Sequence, residues 1–220
     1  MLKEILFGCE RYKNKTINCL GDSITSDYSD DNSSWVEMLH RALPVKKINN
    51  YGIAGTTVAD DGIRNDCFAK RFLDMDKTAD VIIVFGGIND FNRSILLGDI
   101  SSSRIAEFYG ALKVVCRGLI EMYPEADIFF ITPMHAFGFK DYPHWNTKNE
   151  AGKILKDYRN AIIDVCEYYS IPVLDLYSVS GITPDVPENK EIMLPDGLHP
   201  SKNGRIKIAR KIINFLLYTL

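Results

Sequence analysis

Short apolar runs and longer amphipathic segments alternate along the chain. Continuous runs rich in β-branched residues, such as Val81-Ile82-Ile83-Val84, are typical of strands that are buried on both faces of a parallel sheet. The clearest run ends directly in a Gly-Gly pair, which stops the strand and begins a loop. The pattern predicts five strands, at residues 17–20, 45–51, 80–85, 127–132 and 171–176.

Apolar residues recur at a spacing of three or four positions between these strands. This period predicts helices at residues 34–43, 104–122 and 154–169, a final helix from Ser201 onward, and a weaker helix within 57–72. Ser34 and Glu37 have the spacing of a capping box at the start of the first helix. Residues 26–33, 133–149 and 179–194 are predicted to be loops, the last because prolines interrupt it. Strands that alternate with helices predict a doubly wound parallel sheet.

The composition indicates one globular domain. Of the 220 residues, 46% are hydrophobic and 25% are charged, and no linker or internal repeat divides the chain. We therefore expect one domain over residues 1–220, with 1–15 as an N-terminal extension of undefined structure. The net charge of −3 argues against nucleic acid or an anionic membrane as a partner. The basic residues near the C-terminus, among them Arg205, are expected on a solvated helix face.

No stretch reaches the roughly 18 apolar residues that a membrane span needs, and the N-terminus does not have the pattern of a signal peptide. The five cysteines are odd in number, widely spaced and without a Cys-x-x-Cys pair, which argues against a disulfide framework or a zinc site. We expect buried, reduced thiols and a cytoplasmic location. The sequence does not indicate the oligomeric state.

Gly21-Asp22-Ser23 ends the first predicted strand. Such a tripeptide also forms ordinary turns and helix caps. A strand that stops here would nevertheless deliver the Ser23 hydroxyl to the carboxyl edge of the sheet, where open α/β folds bind ligands. Ser23 is therefore the candidate nucleophile.

A serine hydroxyl needs a base to accept its proton, and histidine is the first candidate. His40 lies inside a predicted helix, while His135 and His144 have no carboxylate at a useful spacing. His199 follows Asp196 by three residues in a turn that contains Gly197. That spacing lets the carboxylate fold back and orient the ring, so His199 is the candidate base and Asp196 its partner.

Four stretches in a fixed order resemble the blocks of the SGNH (GDSL-like) hydrolase superfamily. They are Gly-Asp-Ser-Ile-Thr at 21–25, Asn-Tyr-Gly-Ile-Ala-Gly at 50–55, Gly-Gly-Ile-Asn-Asp at 86–90 and Asp-Gly-Leu-His-Pro at 196–200. The resemblance implies a single flavodoxin-like three-layer α/β/α domain with a five-stranded parallel sheet. It also implies a serine esterase without a metal or an organic cofactor.

An oxyanion needs hydrogen-bond donors, and three are predicted: the backbone N–H groups of Ser23 and Gly55 and the side-chain amide of Asn89. Gly52 is the competing glycine, and the resemblance to the family selects Gly55. Asp22 and Asp90 flank these positions, where they can brace loops through backbone hydrogen bonds. We also predict that Asp22, Asp90, His135 and Trp145 are substrate-binding residues.

The expected substrate is a small-molecule ester with a short O-acyl group, such as acetyl on a carbohydrate. Ile24-Thr25 after the serine resembles the acetylesterase branch of the superfamily. Four alternatives remain open. They are an acyltransferase with the same residues, a lysophospholipase or thioesterase, a metal-dependent hydrolase built on Asp22, Asp90, Asp196 and His199, and a non-catalytic binding protein.

Overall fold

A computed structural model of the chain describes residues 9–26, 33–137, 139 and 141–219. Most of the predicted loop at 26–33, and the first eight residues of the predicted N-terminal extension, lie outside this part of the chain. All five predicted strands and all the predicted site residues lie within it.

Five parallel strands form one sheet at the centre of the molecule, with helices on both faces, as predicted for a three-layer α/β/α fold. The strands are β1 (Thr16–Gly21), β2 (Lys47–Gly52), β3 (Val81–Phe85), β4 (Asp127–Ile131) and β5 (Val173–Leu174), in the order β2-β1-β3-β4-β5. Every residue of β1 and β3 is buried, whereas the edge strand β2 is partly exposed. The continuous apolar run at 81–85 is thus explained by its central place in the sheet.

The register of the sheet brings three strand ends to one level. Gly21, the last residue of β1, is paired with Gly52 at the end of β2 and with Phe85 at the end of β3. Because the strands are parallel, the loops that follow them begin at the same carboxyl edge. The topology therefore brings together three stretches that are widely separated in sequence.

Eight helices and one short 3₁₀ turn, Phe72–Asp74, lie wholly within the described residues. The helices are α1 (Trp35–Ala42), α2 (Phe68–Arg71), α3 (Ile88–Asn92), α4 (Phe108–Met122), α5 (Leu155–Tyr168), α6 (Leu176–Val179), α7 (Pro187–Met193) and α8 (Lys202–Tyr218). Helix α1 packs against α8, and α4 packs against α5. The Ser34 hydroxyl caps α1 by accepting the N–H of Glu37 at 3.1 Å, as its spacing predicts. No helix in the described part of the chain is both long and apolar enough to cross a membrane.

The predicted helix at 57–72 is wrong apart from its last turn. Only Phe68–Arg71 is α-helical, followed by the 3₁₀ turn. The backbone N–H groups of Val58 and Ala59 donate to the carboxylate of Asp90, each at 2.9 Å, instead of to helical carbonyls. A side chain distant in sequence thus provides acceptors that local periodicity does not reveal.

The predicted loop at 179–194 contains helix α7 and the end of α6, so this prediction is also wrong in part. Pro187 is the first residue of α7, a position at which the missing N–H costs no hydrogen bond. The fifth strand is shorter than predicted because Asp175 already serves as the N-cap of α6. Helix α4 begins at Phe108 rather than at residue 104, since residues 104–107 form a turn.

Candidate active site

Ser23, His199 and Asp196 form a chain of hydrogen bonds at the carboxyl edge of the sheet. Ser23 Oγ lies 3.1 Å from His199 Nε2, and His199 Nδ1 lies 2.7 Å from Asp196 Oδ2. Ser23 and His199 are 176 residues apart in sequence. This is the geometry in which an imidazole can take a hydroxyl proton on one side while a carboxylate orients it on the other.

A tight turn after β1 presents the Ser23 hydroxyl. The side chain of Asp22 accepts the N–H of Ile24 at 2.9 Å, and the carbonyl of Asp22 accepts the N–H groups of Thr25 and Ser26 at 3.1 and 2.9 Å. Asp22 therefore fixes the turn through both its side chain and its carbonyl. These backbone hydrogen bonds set the position of Ser23 and leave its hydroxyl for His199.

The turn before α8 holds Asp196 and His199 in their relative position. Asp196 Oδ1 accepts the N–H groups of Leu198 and His199 at 2.9 and 2.7 Å, which leaves Oδ2 for the imidazole. Burial raises the pKa of Asp196, but these backbone hydrogen bonds and the His199 ring outweigh it, so that the pKa lies below its ordinary value. Asp196 is thus an ionised carboxylate at neutral pH.

A cavity of about 400 Å³ opens beside Ser23. Ser23, Gly55, Asn89 and His199 line it together, so that residues following β1, β2 and β3 face the same space. A second wall is formed by the apolar side chains of Phe139, Leu198 and Pro200 together with the Tyr142 ring. The ring of Phe139 stands edge-on to His199, with 5.1 Å between centroids.

Hydrogen-bond donors converge on this space. Within the described residues, the N–H groups of Ser23 and Gly55 have no acceptor. Asn89 Nδ2 donates one hydrogen to the carbonyl of Thr56 at 3.0 Å and carries a second. The N–H of Gly52, by contrast, donates to Asn50 Oδ1 at 2.9 Å, and Gly52 does not line the cavity. Gly55, with φ of +70°, adopts a backbone conformation that favours glycine.

Asp22 and Asp90 do not line the cavity, and both are buried. Burial raises the pKa of Asp22 to about 6, although the N–H of Ile24 and the positive charges of His199 and Arg71 act to lower it. Burial likewise raises the pKa of Asp90 to about 7 against the N–H groups of Ala59 and Val58. Both carboxyl groups brace the backbone, and their contact with a substrate stays a prediction.

His135 and Trp145 stack on each other, with 4.0 Å between ring centroids, and Trp145 Nε1 donates to Asp185 at 2.9 Å. Burial lowers the pKa of His135 below its ordinary value. Neither ring is among the residues that line the cavity beside Ser23. A substrate-binding role for this pair therefore also stays a prediction.

Arg205 is a cavity residue that sequence reasoning missed, because it was expected on a solvated helix face. It lies in the first turn of α8, and its Nη2 donates to Ser33 Oγ at 2.6 Å. Its side chain reaches the cavity beside Leu198 and His199. Its position six residues after His199, just inside the helix, is the signal that could have identified it.

Comparisons with known proteins show which family and which solved structures this chain is similar to. The model of the GDSL-like Lipase/Acylhydrolase family matches residues 19–205. A protein from Lactobacillus plantarum of known structure is 33% identical, with a TM-score of 0.84 over 93% of this chain and 97% of that chain. A possible lipase from Chitinophaga pinensis is 26% identical, with a TM-score of 0.72 over 91% and 96%.

The acetyl xylan esterase AlAXEase shares the fold, with a TM-score of 0.62 and 19% identity over 90% of this chain and 97% of that chain. No protein of curated function matches the sequence significantly.

Proposed function

Because the chain belongs to the GDSL-like lipase/acylhydrolase family, we propose that it is a serine esterase that hydrolyses carboxylic esters through an acyl-enzyme. The family supports an ester hydrolase. The observation that carries the specific mechanism is the hydrogen-bonded chain from Ser23 through His199 to Asp196, beside a cavity that Gly55 and Asn89 also line.

In the proposed reaction, Ser23 Oγ attacks the ester carbonyl while His199 Nε2 takes the hydroxyl proton. The Asp196 carboxylate holds the ring and stabilises its positive charge. The tetrahedral intermediate collapses as His199 gives the proton to the leaving alcohol, which produces an acyl-Ser23 ester. Water, activated by the same imidazole, then attacks this ester and releases the acid and free Ser23.

The negative charge on the tetrahedral oxygen is assigned to three donors: the N–H groups of Ser23 and Gly55 and the amide of Asn89. Each such donor typically contributes about a hundred- to a thousand-fold in rate. The absence of a protein acceptor for the two backbone groups, within the described residues, supports this assignment. The chemistry uses protein side chains and water alone, so we propose neither a metal nor an organic cofactor.

We propose a small-molecule substrate with a short acyl group, such as an O-acetylated carbohydrate. A cavity of about 400 Å³ is at the lower end of pockets that hold small ligands. The acetyl xylan esterase shares only the fold at its level of identity, so the sugar is not assigned by that comparison. The five free cysteines, four of them buried, fit a reducing location such as the cytoplasm.

A lipid-type acyl hydrolase is the second candidate, because Phe139, Leu198 and Pro200 give the cavity an apolar wall. Such a wall would favour longer acyl chains through burial of their methylene groups, at about 0.8 kcal/mol each. An acyltransferase would use the same catalytic residues with an alcohol in place of water.

A panel of p-nitrophenyl esters from acetate to octanoate, together with an O-acetylated sugar, tests these alternatives. We expect Ser23-dependent hydrolysis with kcat/KM highest for acetate or butyrate, and activity that survives EDTA. A maximum at octanoate would favour the lipid-type hydrolase, and ester products with added alcohols would favour the transferase. Activity that is abolished by EDTA and restored by a divalent metal would contradict the serine mechanism.

A further inference from the structure

Two arginines hold the loop that carries Gly55 from the side away from the cavity. Arg64 Nη1 donates to the carbonyl of Ala54 at 2.9 Å, and Arg93 Nη2 donates to the carbonyl of Gly55 at 2.6 Å. Neither arginine lines the cavity, whereas Ala54 and Gly55 both do. The two guanidinium groups therefore bind consecutive carbonyls without facing the space beside Ser23.

The carbonyl of Ala54 and the N–H of Gly55 belong to one peptide unit. This unit is planar and trans, so its C=O and N–H bonds point in opposite directions. When Arg64 fixes the carbonyl on the outer side, the N–H of Gly55 is directed to the other side. That is the N–H for which the described residues offer no acceptor.

Each guanidinium is itself held by a carboxylate. Arg64 donates through Nε to Asp66 Oδ1 at 2.9 Å and through Nη2 to Asp66 Oδ2, in a bidentate pair. Arg93 pairs with Asp61, whose side chain is only 3% exposed and also accepts the N–H of Arg64. Because their partners fix them, both arginines offer a donor in a set position rather than a mobile charge.

The conformation of Gly55 fits this arrangement. A Cβ atom on Gly55 would lie 3.3 Å from Arg64 Nη1 and 3.3 Å from Arg93 Nη2. The guanidinium groups thus occupy the side of Gly55 on which any other residue would carry its side chain. Arg93 also directly follows helix α3, which contains Asn89, so it ties the segments of two proposed oxyanion donors together.

We propose that Arg64 is a positioning residue for the oxyanion hole, with Arg93 in a supporting role. Arg64 orients the 54–55 peptide unit and polarises it, because a charge-assisted hydrogen bond to its carbonyl strengthens its N–H as a donor. The inference rests on the proposed esterase function, in which the N–H of Gly55 stabilises the tetrahedral oxyanion.

Kinetics of Arg64→Met and Arg64→Lys with the best ester of the panel test this role. Arg64→Met should misorient one oxyanion donor and lower kcat by about 10- to 100-fold. This effect should not exceed the fall in kcat that removal of a whole donor causes. KM should stay within about threefold, because the interaction acts on the transition state. Arg64→Lys should recover part of the loss. Arg117→Ala, which removes an exposed arginine paired with Glu121, is the matched control and should keep wild-type kinetics.

Chemical rescue separates positioning from a merely structural role. Guanidinium chloride at millimolar concentration should raise kcat of Arg64→Ala severalfold, because the free ion can bind between Asp66 and the Ala54 carbonyl. Sodium chloride at the same concentration should not. The proposal would be overturned if guanidinium did not rescue kcat, KM rose by the same factor as kcat fell, and the melting temperature was lower than that of wild type.

Labelling by a fluorophosphonate distinguishes failure of this inference from failure of the esterase proposal. In that reaction Ser23 Oγ forms a bond to phosphorus, fluoride leaves and the hydroxyl proton passes to His199. We expect labelling of wild type at Ser23 and at least tenfold slower labelling of Arg64→Met. Equal labelling rates would overturn the role of Arg64 while the esterase stands. Hydrolysis that persists in fully labelled wild type and in Ser23→Ala would overturn both.

Discussion

Asp196 illustrates how much of the proposed catalysis depends on hydrogen bonds around a single residue. Two backbone N–H groups fix one of its oxygens and the His199 ring fixes the other, and together they hold the pKa of the carboxyl below its ordinary value. Its charge therefore persists at any pH at which the imidazole can act as a base. Its role is to orient the ring and to stabilise the ring's positive charge.

Asp196→Asn should keep the shape of the turn but remove the charge and the acceptor for His199 Nδ1. We expect kcat at pH 8 to fall by about 10²- to 10⁴-fold, because the amide favours the wrong tautomer of the ring. Asp164→Asn is the matched control, since it alters an exposed aspartate that accepts the Tyr109 hydroxyl outside the cavity. Equal kcat values for Asp196→Asn and wild type would show that Asp196 does not orient the base.

The sequence predicted the residues whose roles depend on near neighbours, and it missed those that act across the fold. Ser23 follows a strand and His199 lies three residues after Asp196, so local patterns indicate both. Arg64 binds a carbonyl ten residues away from within a segment whose apolar spacing predicted a helix that the structure does not contain there. Arg205 reaches the cavity because helix α8 is placed there by packing against α1. For Arg205 the sequence offers one signal, its position six residues after His199, whereas the contact of Arg64 has none.

At the level of elements, the site depends on strands that end together. The pairing of Gly21 with Gly52 and with Phe85 brings the segments after β1, β2 and β3 to one edge. Apolar runs followed by glycines predicted these ends to within one residue. The segment 57–67 was not predictable in the same way, because its backbone donors pair with Asp90 rather than with each other.

Helix α3 positions Asn89, and its N-cap Gly87 has a φ of +105°. Gly87→Ala should lower the free energy of unfolding by about 1–3 kcal/mol through backbone strain and crowding. A Cβ there would lie 3.2 Å from the Phe108 ring and 3.3 Å from Ile162, and relief of this overlap should displace Asn89 and lower kcat. Urea unfolding and steady-state kinetics measure the two effects.

Gly62→Ala is the control for Gly87→Ala. Gly62 also has a positive φ, of +71°, but a Cβ there would have no heavy atom within 4 Å. It should therefore show backbone strain alone, with a smaller loss of stability and unchanged kcat. If Gly62→Ala lowered stability and kcat as much as Gly87→Ala does, close packing at the start of α3 would not be the cause.

For the molecule as a whole, two buried carboxyl groups couple stability to pH. The pKa values of Asp22 and Asp90 are raised to about 6 and about 7, whereas an unfolded aspartate has a pKa of about 3.9. Between the unfolded and the folded pKa values, the folded state therefore binds more protons than the unfolded state. The contribution of Asp22 and Asp90 to the free energy of unfolding is therefore fully present in acid, and it is lost as pH rises from about 4 to about 7.

Urea unfolding at pH 5 and pH 8 measures this linkage. We expect wild type to lose free energy of unfolding over this interval, with a contribution from Asp90 on the order of 2 kcal/mol. Asp90→Asn cannot titrate at this position, so its loss over the same interval should be smaller, whatever its stability at either pH. A steeper loss in Asp90→Asn than in wild type would contradict the raised pKa.

The proposed mechanism depends on Ser23 as nucleophile, and kcat of Ser23→Ala for the best ester of the panel tests this most directly. Ser103→Ala, on an exposed loop, provides the matched control. We predict that Ser23→Ala loses at least about a thousand-fold in kcat while its melting temperature and the activity of Ser103→Ala stay near those of wild type. Ester hydrolysis by folded Ser23→Ala at the wild-type rate would contradict the account.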